Sequence, residues 1–176
     1  MNGRILTVYF SMKGETLEGR SIVWRDKGHA QLAAEYIHQT VGGDIFEIET
    51  IEPYPDDHIQ RVMQAKAEIE GNLRPEIRSV PNAFDQYDTV FLCYPIWWFT
   101  IPMPVATFLE RLDWGGKRVI PVNTSNSSGA CRSVQDIKML CVNAVVEDGL
   151  ELIGQNVERD REKIVFWTKS RCIKFE

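Results

Sequence analysis

Five short apolar runs recur along the chain, each followed by a segment with helical spacing, and this alternation leaves few folds open. The runs are ILTVYF (Ile5 to Phe10), DIFEIET (Asp44 to Thr50), DTVFLCY (Asp88 to Tyr94), RVIPVN (Arg118 to Asn123) and AVVEDGLELIG (Ala144 to Gly154). Between them, His29 to Val41 gathers Leu32, Ala33, Tyr36 and Ile37 on one helical face, and Asp56 to Glu70 gathers Ile59, Val62, Met63 and Ile69. Both segments stop at glycine, Gly42-Gly43 and Gly71. Met103 to Leu112, Ser133 to Leu140 and Arg159 to Lys169 supply three more helices. The first and third runs are almost continuously apolar, as strands buried on both faces are, whereas the second alternates and belongs at an edge. The expected fold is α/β: one domain over residues 1–176 with a doubly wound, five-stranded parallel sheet in the order 2-1-3-4-5.

Several function classes drop out early. A formal charge of −5, with Lys and Arg scattered, gives no footprint for nucleic acid. No apolar run approaches the ~20 residues of a membrane span, and MNGRILTVYF enters a strand pattern without the shape of a cleavable signal, so a cytoplasmic protein is expected. Cys93, Cys131, Cys141 and Cys172 lie too far apart for C-x-x-C pairs and read as reduced thiols, Cys93 as a small buried hydrophobe.

In a doubly wound sheet, ligands bind beyond the carboxyl ends of the strands where the strand order reverses, which selects the loops after strands one, three and four. The third reads YPIWWFTIPMPVATFLERL (Tyr94 to Leu112). Pro95, Pro102 and Pro104 stiffen it, the last two suiting a helix entry. Trp97, Trp98 and Phe99 cannot all point into the core from a strand end, so some of them meet a ligand or solvent, and a flat heterocycle suits them. The fourth loop, NTSNSSGACRSVQDI (Asn123 to Ile137), offers hydroxyl, amide and backbone donors, with Ser133 expected as the cap of a helix and Asp136 three residues on. The first loop, SMKGETLEGRSIVWRDKGHAQLAAEYI (Ser11 to Ile37), starts like a phosphate loop and ends like its helix, with about a dozen residues too many between.

Together, Ser11 with its glycine loop, YPIWW-F-TIPMPV-TFLE and TSNSSGACRS-QDI resemble the flavodoxin-like family of FMN proteins, in the subfamily whose third loop reads P-I-W-W-G-T-x-P-M-P and whose fourth reads C-T-x-E-G-S-G-L-G-x-S. The resemblance covers Ile5 to about Val157, and the PIWW and PMP elements are its specific part. It implies FMN as cofactor, with the phosphate held by backbone N–H groups at the start of the first helix in a motif S-x-T-G-x-T-x-x-x-A-x-x-I. Two registers compete. In one, Ser11, Met12, Lys13, Gly14, Glu15 and Thr16 form a continuous loop; in the other, Ser11 ends the strand and the motif resumes at Lys27, Gly28, His29 and Ala30. The split register is favoured because it fits Ala34 and Ile37 and puts the anion at the N-terminus of the helix that packs on the sheet.

The split register expects the phosphate between Ser11, Met12 and Lys13 on one side and Gly28, His29 and Ala30 on the other, with Gly14 to Lys27 thrown outward. Pro95, Ile96, Trp97, Trp98 and Phe99, with Thr124, Ser125, Asn126, Ser128 and Gly129, are expected around the flavin. This chain departs from the pattern: Ala30 stands for Thr, His29 for Asn, Phe99 for Gly, and Asn126, Ser127 and Cys131 for Glu, Gly and Gly. His29 adds a charge-assisted bond only if protonated, and Lys13 or Lys27 stands in as a point charge. Because Phe99 carries a side chain, it limits positive φ and close approach to the ring. Trp24, in the insertion, is expected either to fold over the cofactor, to meet a partner, or to pin the loop to the body. His38 is expected to be solvated on its helix, and His58 to sit beside Asp56 and Asp57 at a helix start; no triad, catalytic residue or metal set emerges. The resulting expectation is an FMN electron carrier, monomeric or homodimeric, serving a redox partner protein. The alternatives are an oxidoreductase passing electrons from NAD(P)H to a quinone or similar small acceptor, and an interaction module without FMN.

Overall fold

In the computed structural model, which describes residues 4–172, the apolar runs form one parallel sheet. In chain order there follow β1 (Arg4–Tyr9), a hairpin of β2 (Gly14–Glu18) and β3 (Ser21–Arg25), α1 (His29–Val41), β4 (Asp44–Glu47), α2 (His58–Glu70), β5 (Tyr87–Pro95), α3 (Met103–Glu110), β6 (Arg118–Ser125), α4 (Ser133–Leu140), β7 (Val145–Val146), β8 (Leu150–Ile153) and α5 (Arg161–Cys172). The sheet runs β4-β1-β5-β6-β7, with β8 also paired to β6, which is the order expected for a doubly wound α/β fold. Alternate side chains divide the core. Leu6, Val8, Val90 and Leu92 join Val105, Phe108 and Ile137 on the α3/α4 face, and Tyr9, Phe91, Cys93 and Val122 join Ala33, Ile37 and Ile164 under α1 and α5.

Four expectations are corrected. The last apolar run is not one strand but two, β7 and β8, both along β6. The break lies opposite Pro121: Val119 accepts the Glu147 N–H at 3.0 Å, but two residues on, Pro121 has no N–H to donate toward the same neighbour. Gly149, at φ +82°, completes the detour, and a Cβ there would lie 2.1 Å from the Pro121 carbonyl oxygen.

The second correction concerns α2. It does not bury Ile59 and Met63, which are 62% and 67% exposed; its buried face is Arg61, Ala65 and Glu68. Tertiary hydrogen bonds override amphipathic spacing here. Tyr54 donates its hydroxyl proton to Glu68 Oε2 at 2.5 Å, and Arg61 donates to backbone carbonyls, so both polar side chains are satisfied inside. Asp57 caps the helix by accepting the Gln60 N–H at 2.8 Å, with His58 at its first position. Ser133, by contrast, caps nothing. It is the first residue of α4 after Arg132, its hydroxyl donates to the Ala130 carbonyl at 2.6 Å, and it receives Tyr94 OH at 3.0 Å. His38 is half-buried rather than solvated, with Nδ1 buried and unpartnered. All four cysteines are free, and burial pushes the Cys93 thiol far up, which keeps it inert. None of the described helices is long and apolar enough to cross a membrane.

Candidate functional site

The carboxyl ends of β1, β5 and β6 open into one cavity of about 370 Å³, where the chain leaves β1 toward one edge and β5 toward the other. This volume lies in the range of small-molecule sites, and the position is the one the topology designates.

One corner of the cavity suits an anion. Gly28 precedes α1 as its N-cap residue, and no side chain caps the helix, so helix geometry leaves the N–H groups of its first turn without intrahelical acceptors. Ser11 stands against this corner, its Oγ buried and without a partner. The contact is close: a Cβ on Gly28 would fall 2.3 Å from both the Ser11 Oγ and the Met12 carbonyl oxygen. The helix that packs on the sheet starts at His29, where the split register puts it, while Gly14, Glu15 and Thr16 of the continuous alternative lie in β2. Ser11, Met12, Gly28, His29 and Ala30 line the cavity.

The expected cationic helpers are elsewhere. Lys13 is exposed and off the cavity wall, and Lys27 Nζ binds both oxygens of Glu35, at 2.7 and 2.9 Å. His29 turns away too. Its Nε2 lies 2.8 Å from Glu18 Oε1, and Glu18 is held below the ordinary carboxylate range, first by its hydrogen bond from Arg25. An ionised carboxylate only accepts, so Nε2 carries the proton. Burial lowers the His29 pKa against the opposing pull of Glu18, leaving a neutral imidazole at pH 7 that adds no positive charge to the corner.

The aromatic wall sorts its three members. Trp97 packs edge-on against Phe10 and Tyr54, with ring centroids 5.4 and 5.1 Å away, and lines the cavity half-buried. Trp98 also lines it, fixed by Nε1–H donating to the Val62 carbonyl at 2.9 Å and by Lys66 Nζ 5.3 Å from its ring centroid. Phe99 does not line it and is 63% exposed. Trp98 and Phe99 are the central residues of a two-residue turn closed by Trp97 N–H to Thr100 O at 3.0 Å and Thr100 N–H to Trp97 O at 3.1 Å. Such a turn demands positive φ at both positions and normally takes Asn-Gly. Here φ is +46° at Trp98 and +66° at Phe99, so Phe99 adopts the positive φ that its side chain was expected to limit. The turn is held by its own bonds and by Arg132 N–H on the Phe99 carbonyl at 3.2 Å. Phe99→Gly is expected to raise stability by about 1 kcal/mol, read as a higher urea midpoint; a lower midpoint would show that the Phe99 ring contributes more by packing than its backbone strain costs.

In the fourth loop, Thr124, Ser125 and Asn126 line the cavity, as do Pro95 and Ile96 from the third. Ser128 and Gly129 do not. Ser128 accepts the Cys131 thiol proton through its carbonyl, and Gly129 donates its N–H to Ser125 Oγ at 3.1 Å, so they brace the loop from behind.

The insertion departs most from expectation. It is not thrown outward: residues 14–25 form the antiparallel hairpin β2–β3, which crosses the cavity, and Thr16 and Leu17 form part of the wall. At one end Glu15 N–H donates to the Asp56 carbonyl at 2.9 Å, and Arg61 donates to the Glu15 carbonyl and to the Pro55 and Asp56 carbonyls. At the other, Gly19 meets Asn126. Trp24 is on the outer side, exposed, its Nε1–H donating to Asp26 at 3.1 Å, and it does not line the cavity. Thr16, named only in the continuous register, is wall, and sequence reasoning missed Leu17, His58, Arg61, Val62, Ala65, Gly154 and Gln155, which complete it. Burial lowers the pKa of both His58 and Arg61. Of these, His58 stands out in the sequence only for its place beside Asp56 and Asp57 at a helix start; Arg61 sits within an apolar pattern that speaks for a different face.

A family profile described as flavodoxin matches residues 21–170. Among solved structures, a candidate flavoprotein from Bacteroides eggerthii is 29% identical, with a TM-score of 0.77 over 98% of this chain and 100% of its own. Another, from Bacteroides uniformis, is 26% identical with a TM-score of 0.77 over 96% and 99%. A Lactobacillus acidophilus flavoprotein solved in complex with FMN is 20% identical, with a TM-score of 0.64 over 89% and 97%. No curated protein matches the sequence.

Proposed function

Since the chain belongs to the flavodoxin family, we propose that it binds FMN in this cavity and works as an electron carrier. The observation that carries the reading is the anion corner: a buried hydroxyl without a partner, Ser11 Oγ, set against an uncapped helix N-terminus that only a glycine can approach so closely. The residues present fit the cofactor. Ser11 and the first-turn N–H groups of α1 would hold the phosphate, neutral donors and the helix dipole replacing the lysines that point elsewhere. Trp97 and Trp98 would supply flat apolar surface to the ring system, and Thr124 and Ser125 its polar edge. FMN, when bound, supplies one- or two-electron redox chemistry. The protein's part is to orient, shield and select.

Simple electron transfer asks no acid or base of the protein. Of the three ionisable side chains on the wall, His29, His58 and Arg61, the first and last are engaged in holding the hairpin. A net charge of −5 favours a basic redox partner over another acidic protein. Titration of the apoprotein with FMN and with riboflavin tests the site: FMN is expected to bind on the order of 100-fold more tightly, the share of a phosphate received by several N–H donors. Equal affinities would remove the anion corner from the reading. The holoprotein is expected not to oxidise NAD(P)H on its own; turnover with a quinone acceptor would make it a reductase instead.

A further inference from the structure

The two sides of the hairpin are fastened differently. Its base is buried: a Cβ on Gly14 would lie 2.8 Å from the Asp56 carbonyl oxygen, and Arg61, a residue 6% exposed, ties Glu15 to the same segment through its guanidinium. Its tip is held from the solvent side. Gly19 N–H donates to Asn126 Oδ1 at 2.8 Å, and Asn126 Nδ2–H donates back to the Gly19 carbonyl at 3.1 Å, both in exposed surroundings. A primary amide reproduces a peptide group's donor and acceptor together, which an ionised carboxylate of similar size does not. One residue away, Glu18 accepts from His29 Nε2 at 2.8 Å and from Arg25 Nε at 2.6 Å, and Arg25 also reaches Glu158 at 3.0 Å. Thr16 and Leu17, between base and tip, are cavity wall.

Two positions where this chain departs from the family pattern, His29 and Asn126, thus both meet the hairpin tip. Resting on the FMN reading above, we propose that the hairpin is a strap hinged at Gly14, that its tip unlatches for the cofactor to enter or leave, and that Asn126 and Glu18 are the positioning residues that keep it shut. The asymmetry fixes which end opens. Water competes for the two exposed Gly19–Asn126 bonds, which leaves the part-buried Glu18–His29 bond as the tip's main hold on the body, whereas opening the base would strip Arg61 of three carbonyls. Opening is then a local event, well below the free energy of global unfolding.

A latch makes a kinetic signature that a direct contact does not. If exchange passes only through the open form, weakening the latch raises the open fraction of apo and holo protein alike. Association and release rates then rise together and Kd stays put. For Asn126→Ala both rates of FMN are expected to rise roughly three- to tenfold with Kd unchanged within about twofold, and riboflavin rates to rise by the same factor. Glu18→Ala, whose side chain is off the cavity wall, is expected to do likewise. In the apoprotein, hydrogen exchange at the Gly19 amide is expected to accelerate by the factor seen in the association rate. Faster release without faster association overturns the strap and makes Asn126 a direct support of the bound cofactor. Faster Gly19 exchange with unchanged flavin rates also overturns it, because the cofactor then travels by another route. Failure of the wild-type protein to bind FMN overturns the underlying reading and the strap's role with it, whereas tight binding with either of the preceding results overturns the strap alone.

Discussion

Gly28→Ala is expected to reduce FMN affinity about 100-fold, to the level of riboflavin, while riboflavin binding changes little. The reason is steric rather than conformational. Gly28 has φ −71°, ψ 160°, an extended backbone that alanine adopts freely, so no dihedral penalty is involved. What alanine cannot do is share the space: its Cβ would sit 2.3 Å from both the Ser11 Oγ and the Met12 carbonyl oxygen. Either the loop after β1 or the first turn of α1 must retreat, and the hydroxyl and the N–H groups then no longer converge on one anion. The cost to the fold is that of overpacking, about 2 kcal/mol. Isothermal titration with both flavins decides the matter. An equal loss for FMN and riboflavin would mean that Gly28 shapes the cavity as a whole; no loss for either would sink the anion corner.

That corner was legible in the sequence because its logic is local. Ser11 at a strand exit, a glycine before a helix and small residues at Ala30 and Ala34 inside that helix define it, and the helix start at His29 selects between registers. The fold was legible for a related reason: β1 and β5 are continuous apolar runs, and such runs in alternation with helices have few ways to pack. What stayed hidden depends on partners distant in sequence. Gly19 and Asn126 are 107 residues apart, Glu15 and Arg61 are 46, and no pattern along the chain links them. Compared with a motif, the departures at His29 and Asn126 were replacements judged only for what they offered the cofactor. In three dimensions they are contacts to the insertion, which the motif does not contain.

The helix α2 shows the same limit at a single side chain, and it yields the second large effect: Arg61→Ala is expected to lower stability by about 3 kcal/mol and to free the hairpin base. Spacing alone put Ile59 and Met63 inside, yet the buried position belongs to Arg61, whose Nη1 donates to Pro55 O at 2.8 Å and Asp56 O at 3.2 Å while Nη2 donates to Glu15 O. A hydrogen bond from a charged donor contributes about 1.5–3 kcal/mol, and removing the guanidinium leaves its part-buried carbonyls short of partners. Against this stands the desolvation that holds the Arg61 pKa below its usual value, a cost recovered when the charge is deleted, so the net falls below the sum of the bonds. Arg61→Lys is expected to keep only part of the effect, since one ammonium cannot span carbonyls on two segments as the planar fork does. Urea unfolding measures the loss, and amide exchange at Glu15 localises it. A loss under 1 kcal/mol would mean that the backbone pair between Glu15 and Asp56 carries the base unaided, and the hinge would then rest on Gly14 packing instead.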